Sequence, residues 1–193
     1  MTAQGTTEIV TAELNRAASS TMELLRRVRP EQMAAPTPCA SWDVHALINH
    51  FVGSARWGAA LVAGKDDGPA ADYAAGDYVA AYEESIRIAS AAFTAEGALE
   101  QVVRMGQGDF PGAAVLGFIT ADQFTHGWDL ARAIGQPTEL DPELAEVLLA
   151  QARLHVTDAM RGPDGVALFG PEQPAPAGAG AADRLAAFLG RSV

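Results

Sequence analysis

The sequence carries one cysteine, Cys39, so no disulfide can form within the chain. It lacks any excess of positive charge. Thirteen Lys and Arg stand against 24 Asp and Glu, the net charge is −11, and the isoelectric point is near 4.6. A surface of that sign repels a phosphate backbone, which argues against a nucleic-acid partner. No apolar run is long enough to span a bilayer, which argues against a membrane partner. The opening MTAQGTTEIV lacks the basic region and apolar stretch of a signal peptide. These absences leave a cytoplasmic protein as the expectation. What is present is a globular composition, 49% hydrophobic and 19% charged over 193 residues. That length suits one domain, or one domain with a tail, and can bury a sizeable core.

Helical periodicity dominates. Residues 8–29 place Val10, Leu14, Ala17, Thr21 and Leu24 on one side, and Pro30 is expected to stop this helix. The turn APTPCAS follows, with Ser41 as the candidate N-cap of a helix over about 42–63. Asp43 falls in its first turn, where a carboxylate suits the helix dipole. A third helix is expected over about 72–95. The stretch LEQVVRMGQGDFPG, residues 99–112, has strand character and reads as a hairpin or an extended crossover. A fourth helix spans about 111–134, closed by Gly135 and Pro137. A fifth starts at Asp141 and Pro142 and runs to about Arg161. Residues 163–180 are rich in Pro, Gly and Ala and read as an ordered wrap or a linker. ADRLAAFLG is a last short helix with Gly190 after its end. Four or more helices of this length, with one or two longer crossings, point to a helical bundle.

The chemistry concentrates in ADQFTHGWDLARA, residues 121–133. Asp122, His126 and Asp129 share one stripe of this helix, where a core helix should be apolar. Asp122 and His126 are four residues apart, so their side chains stand one turn apart on one face and can chelate one cation. A third ligand must come from another helix. His50, in DVHALINHFVGSARW, is the best candidate, because its stripe also carries Asp43, Ala46, Leu47, Ser54 and Trp57. Three protein ligands leave an open position, the arrangement of catalytic zinc rather than structural zinc. Asp129 is placed to orient His126, or else to pair with Arg132. Ser54, Trp57, Trp128 and Arg191 are candidates for the pocket around such a centre. His45 lies far around its helix from His50 and reads as solvated. His155 shares a face with Leu144, Leu148 and Gln151; it is either a core histidine or a fourth ligand. Cys39 is either a small buried residue or, just ahead of a helix N-terminus, a reactive thiol.

Three motifs carry a family resemblance: TPCASWDVHALINHFVG at 37–53, ADQFTHGWDLARAIGQP at 121–137, and FGPEQPAPAGAGAADRLAAFLGR at 169–191. With them the chain resembles the DinB-like metalloenzyme superfamily. Within it, the chain is similar to the group related to the N-terminal, metal-binding domain of mycothiol-dependent maleylpyruvate isomerase. The resemblance implies an all-α fold: a four-helix bundle with a long crossover, an extended C-terminal segment and a short final helix. Residues 1–162 are expected to form the metal-binding bundle and 163–193 a C-terminal extension on it. The metal ligands implied are His50, Asp122 and His126, with Asp122 where the isomerase carries a glutamate. The ion implied is divalent, zinc first, with nickel or another ion as alternatives. The activity implied is that of an S-transferase or isomerase. A low-molecular-weight thiol such as mycothiol would be activated at the open position and attack a small-molecule electrophile. A homodimer is also implied. The alternative from a different class is a metal- or small-ligand-binding bundle without turnover.

Overall fold

The computed structural model describes residues 3–106, 108–163 and 165–193, with side chains from residue 11 onward. It contains six α-helices and one hairpin in these residues. They are α1 (Ala3–Leu25), α2 (Val44–Val62), α3 (Tyr78–Thr94), β1 (Val102–Met105), β2 (Gly108–Pro111), α4 (Gly112–Ala133), α5 (Pro142–His155) and α6 (Ala181–Phe188). Short 3-10 turns occupy Pro30–Gln32, Tyr73–Ala75 and Asp158–Met160. The architecture is therefore mainly helical rather than all-α. The expected strand-like stretch is an antiparallel hairpin, in which Val102 faces Pro111 and Met105 faces Gly108.

The periodicity locates the helix faces well and their ends less well. Leu14, Ala17, Thr21 and Leu24 of α1 are all buried, as their spacing predicts; Val10 lies outside the described side chains. Pro30 does not stop α1. The helix ends at Leu25 by tightening, with Arg27 N–H donating to Leu24 O at 2.9 Å and Val28 N–H to Leu25 O at 3.3 Å. Arg29 is then extended (ψ 150°), as the residue before a proline must be, and Pro30 opens a 3-10 turn. The N-cap of α2 is Asp43 rather than Ser41. Asp43 has extended backbone, and its Oδ1 accepts the Ala46 N–H at 2.8 Å. Asp77 and Asp141 cap α3 and α5 in the same way. The third helix begins at Tyr78, later than expected, after the turn at Tyr73–Ala75. The fifth ends at His155, not near Arg161. Val156 is extended (ψ 111°), and the β-branched pair Val156 and Thr157 is a poor continuation of a helix.

α1 packs on α3 and α4, and α2 packs on the same two helices from the other side. α5 and α6 pack on each other, and α6 also lies on α4. α4 is thus central, and every residue from Gln123 to Ala131 is buried. One face of it joins a core with Leu47, Ile48, Phe51 and Tyr82, and the opposite face, through Phe124 and Trp128, joins a core with Leu144, Leu148, Leu185 and Leu189.

The Pro/Gly/Ala-rich segment lies against α6 and is an ordered wrap. Gln173 N–H donates to Ala187 O at 2.9 Å. Arg161 donates to the carbonyls of Gly170 and Phe188 at 2.9 and 2.7 Å, and its guanidinium stacks on the Phe188 ring. Asp183 of α6 accepts from the Trp128 indole at 2.7 Å and from the Thr138 hydroxyl at 2.8 Å. No helix in the described residues is long and apolar enough to cross a membrane.

Candidate metal centre

His50 on α2 meets Asp122 and His126 on α4. The His50 Nε2 stands 3.0 and 3.1 Å from the two Asp122 oxygens, and the His126 Nε2 stands 3.5 Å from Asp122 Oδ1. One donor atom from each of the three residues lies within 4.8 Å of the others. The imidazoles of His50 and His126 meet edge to face, 4.7 Å between centroids. Side-chain exposure is 11% for Asp122 and for His126 but 26% for His50, so the cluster opens to solvent on the α2 side.

The two donors on α4 are held from behind. Asp129, fully buried one turn after His126, takes a contact of 2.9 Å from His126 Nδ1 to its Oδ2. Arg191 closes on the same carboxylate with two hydrogen bonds, Nε to Oδ1 at 3.2 Å and Nη2 to Oδ2 at 3.0 Å. Burial opposes the charge on Asp129, but the hydrogen bond from His126 and the charge of Arg191 outweigh it, so its carboxyl stays below the ordinary range. Asp122 follows the same pattern. Burial pushes its carboxyl up, while His50, His126 and a hydrogen bond from Ser54 hold it down.

A second chain runs behind Asp122. The Tyr82 hydroxyl donates to Gln123 Oε1 at 2.8 Å. Gln123 Nε2 donates to Ser54 Oγ at 2.8 Å and to Phe51 O at 3.1 Å. Ser54 in turn is one of the groups that hold the Asp122 carboxyl low. Gln123→Leu removes the partner of several buried polar groups at once. It is expected to lower stability by about 1–3 kcal/mol, read as a shifted midpoint in urea unfolding.

Trp42 forms the wall beside both histidines. Its ring centroid lies 4.4 Å from that of His50 and 5.1 Å from that of His126. The loop before α2 holds it there: Thr37 Oγ1 donates to Trp42 O at 2.8 Å and accepts the Cys39 N–H at 3.2 Å.

Of the other residues singled out from the sequence, Ser54 and Arg191 belong to this neighbourhood. Trp128 does not; two residues from His126 on a helix is the opposite face, and its indole N–H is spent on Asp183. Trp57 lies two turns along α2 from His50 and packs edge-on against Phe118. Asp129 pairs with Arg191, while Arg132 lies over the Trp128 ring. His45 contacts Asp72 at 3.1 Å, and His155 is exposed at the end of α5. Cys39 is half-buried within electrostatic reach of Arg191. Trp42, Gln123 and Tyr82 are additions. Gln123 carried a visible signal, a glutamine at a core position of a central helix. Trp42 precedes its helix, so no periodicity could place it.

The donor set fits a divalent ion. Bonds of about 2.0–2.2 Å in tetrahedral array separate ligand atoms by roughly 3.3–3.6 Å; Asp122 stands 3.0–3.5 Å from the two histidines, and all three donor atoms lie within 4.8 Å of one another. Hydrogen-bond accounting agrees. His126 has a carboxylate against each ring nitrogen. With Nδ1–H turned to Asp129, the Nε2 lone pair of the neutral ring stands beside Asp122, where the two can hold a cation between them.

The family model described as the mycothiol maleylpyruvate isomerase N-terminal domain matches residues 14–131. Two similar proteins come from the CDC 1551 and H37Rv strains of Mycobacterium tuberculosis, each named only as an uncharacterized protein. Each is 40% identical over 184 residues, which cover 92% of this chain and 95% of the relative. No solved structure matches the chain significantly.

Proposed function

Because the chain belongs to the mycothiol maleylpyruvate isomerase N-terminal domain family, within the DinB-like superfamily, we propose that it is a metal-dependent enzyme acting with a low-molecular-weight thiol. His50, Asp122 and His126 are its metal ligands. The observation that carries this reading is the convergence of three donors from two helices on one point, with Asp129 behind His126 and Ser54 behind Asp122. Two imidazoles and one carboxylate form a donor set for zinc, with nickel as the next choice. Residues 1–162 are read as a four-helix bundle of DinB type built on α1–α4, and 163–193 as an extension packed on it.

Within this reading the ion supplies acidification of a thiol at the position the protein leaves open. The residues of the chain do the rest. Asp129 fixes the His126 ring with its proton on Nδ1, so that Nε2 is free to ligate. Ser54, set by Gln123, points the Asp122 carboxylate at the two histidines. Trp42 covers one side of the imidazoles and excludes water there, while the half-exposed His50 edge is the entry side. Attack of the thiolate sulfur on an electrophilic carbon forms a C–S bond while a leaving group departs with its electron pair, or while a conjugated π bond opens and takes up the thiol proton, and gives a thioether in a transferase; in an isomerase the C–S bond of the adduct breaks again, the π bond re-forms and the thiol leaves.

The test is to supply the zinc-reconstituted chain with mycothiol and a fluorogenic electrophile and to follow adduct formation against a chelated control. The expected result is thiol consumption that depends on the ion and is lost in His126→Ala. Equal rates with and without ion would favour a binding module without turnover.

A further inference from the structure

We propose that Arg191, brought to the centre by the C-terminal segment, is a positioning residue that sets the charge of the metal site. Its guanidinium cancels Asp129 and leaves the loaded centre one net positive charge, matched to one monoanionic ligand. This rests on the metal reading above and adds a residue outside the segment that the family match covers, 14–131.

Arg191 is built into its place. Its side chain is 11% exposed and Asp129 is 0% exposed, so this is a buried pair and not a surface contact. Both oxygens of Asp129 are engaged by the guanidinium, and Oδ2 is shared with His126 Nδ1. The backbone that delivers Arg191 leaves no slack. Gly190 has φ +98°, its backbone abuts Gly170, and Arg191 N–H donates to Ala186 O at 2.9 Å. Nη1 also donates to Leu189 O at 3.2 Å.

The charge count follows from these contacts. Two neutral imidazoles and one carboxylate, Asp122, face the ion, and behind them Asp129 and Arg191 balance. A divalent ion then brings the whole to plus one, and one thiolate brings it to zero. Without Arg191 the loaded site would already be neutral, and a bound thiolate would leave a net negative charge in a buried site.

The experiment uses the full-length chain, loaded with cobalt(II) and titrated with 2-mercaptoethanol. Uptake is read from the sulfur-to-cobalt charge-transfer band, with circular dichroism as the folding control. The wild type is compared with Arg191→Lys, Arg191→Met and the double variant Asp129→Asn/Arg191→Met. The expected result is near wild-type thiol affinity in Arg191→Lys and roughly ten-fold weaker affinity in Arg191→Met. The double variant removes both charges, keeps an acceptor for His126 Nδ1–H, and is expected to recover most of that loss. Thiol affinity in Arg191→Met equal to wild type, or a double variant no better than Arg191→Met, overturns the role of Arg191. Should Arg191→Met fail to fold, the double variant and Arg191→Lys decide, and a ten-fold loss in either overturns it. A wild-type chain that takes up no cobalt overturns the metal reading itself, which separates the two failures.

Discussion

His50→Ala and His126→Ala are each expected to abolish stoichiometric metal retention while leaving most of the helical structure in place. Each removes one of three donors, and two remaining donors do not make a site that survives dialysis. The fold does not depend on these rings to the same degree. His50 is half-exposed and stands beside the core residues Leu47 and Phe51 of α2 without belonging to their cluster. Removing His126 leaves Asp129 still paired with Arg191, so no buried carboxylate is stranded without a partner. Asp129→Asn is a milder change, because it alters the residue that orients a ligand and not the ligand; the expected loss of affinity is about 10–100-fold. Elemental analysis after dialysis, with far-ultraviolet circular dichroism on the same samples, checks all three variants. Retention of one ion by both alanine variants would place the metal elsewhere.

Gly190→Ala carries a large expected stability loss. Its backbone lies at φ +98°, a region that costs an L-residue about 1–2 kcal/mol. A Cβ there would also stand 2.5 Å from Gly170 Cα and 2.7 Å from its carbonyl carbon, backbone atoms that cannot swing aside. Overpacking of that kind adds about 1–3 kcal/mol. A total near 3 kcal/mol corresponds to a drop in melting temperature of roughly 6–12 °C for a chain of this size. Gly178→Ala separates the two contributions. Gly178 has φ +82° but nothing within 4 Å of its Cβ position, so only the conformational cost applies, about 1–2 kcal/mol. Similar losses in the two variants would show that the contact with Gly170 contributes little. Because Gly190 immediately precedes Arg191, its substitution is expected to weaken thiol uptake by the metal-loaded centre as well.

The central pair of the candidate centre was legible because helical geometry alone aligns residues four apart. Asp122 and His126 needed no tertiary information, and His50 followed from a small, apolar stripe around one histidine. What surrounds them was harder to read, for physical reasons that differ from residue to residue. Trp42 lies in a loop whose course is set by the Thr37 hydroxyl, and loops carry no period. Trp128 was drawn in by its nearness in sequence to His126, although two residues on a helix is nearly half a turn around. Arg191 is a pocket candidate from its sequence, but only the folding-back of the Pro/Gly/Ala-rich segment makes it the buried partner of Asp129. Gln123 stood in plain view as a polar residue in the core stripe of α4, the same kind of anomaly that pointed to His126. The helix ends followed local rules that compete: Ser41 and Asp43 are both good caps, and the one with extended backbone and reach to the third N–H took the role.

The most direct measurement is anomalous diffraction from a crystal of the full-length chain grown with zinc. The expected result is one strong peak per chain at about 2.0–2.2 Å from His50 Nε2, an Asp122 oxygen and His126 Nε2, with no fourth protein ligand. A peak bound at other residues, or His50 turned away from His126 with no ion between them, would contradict the account.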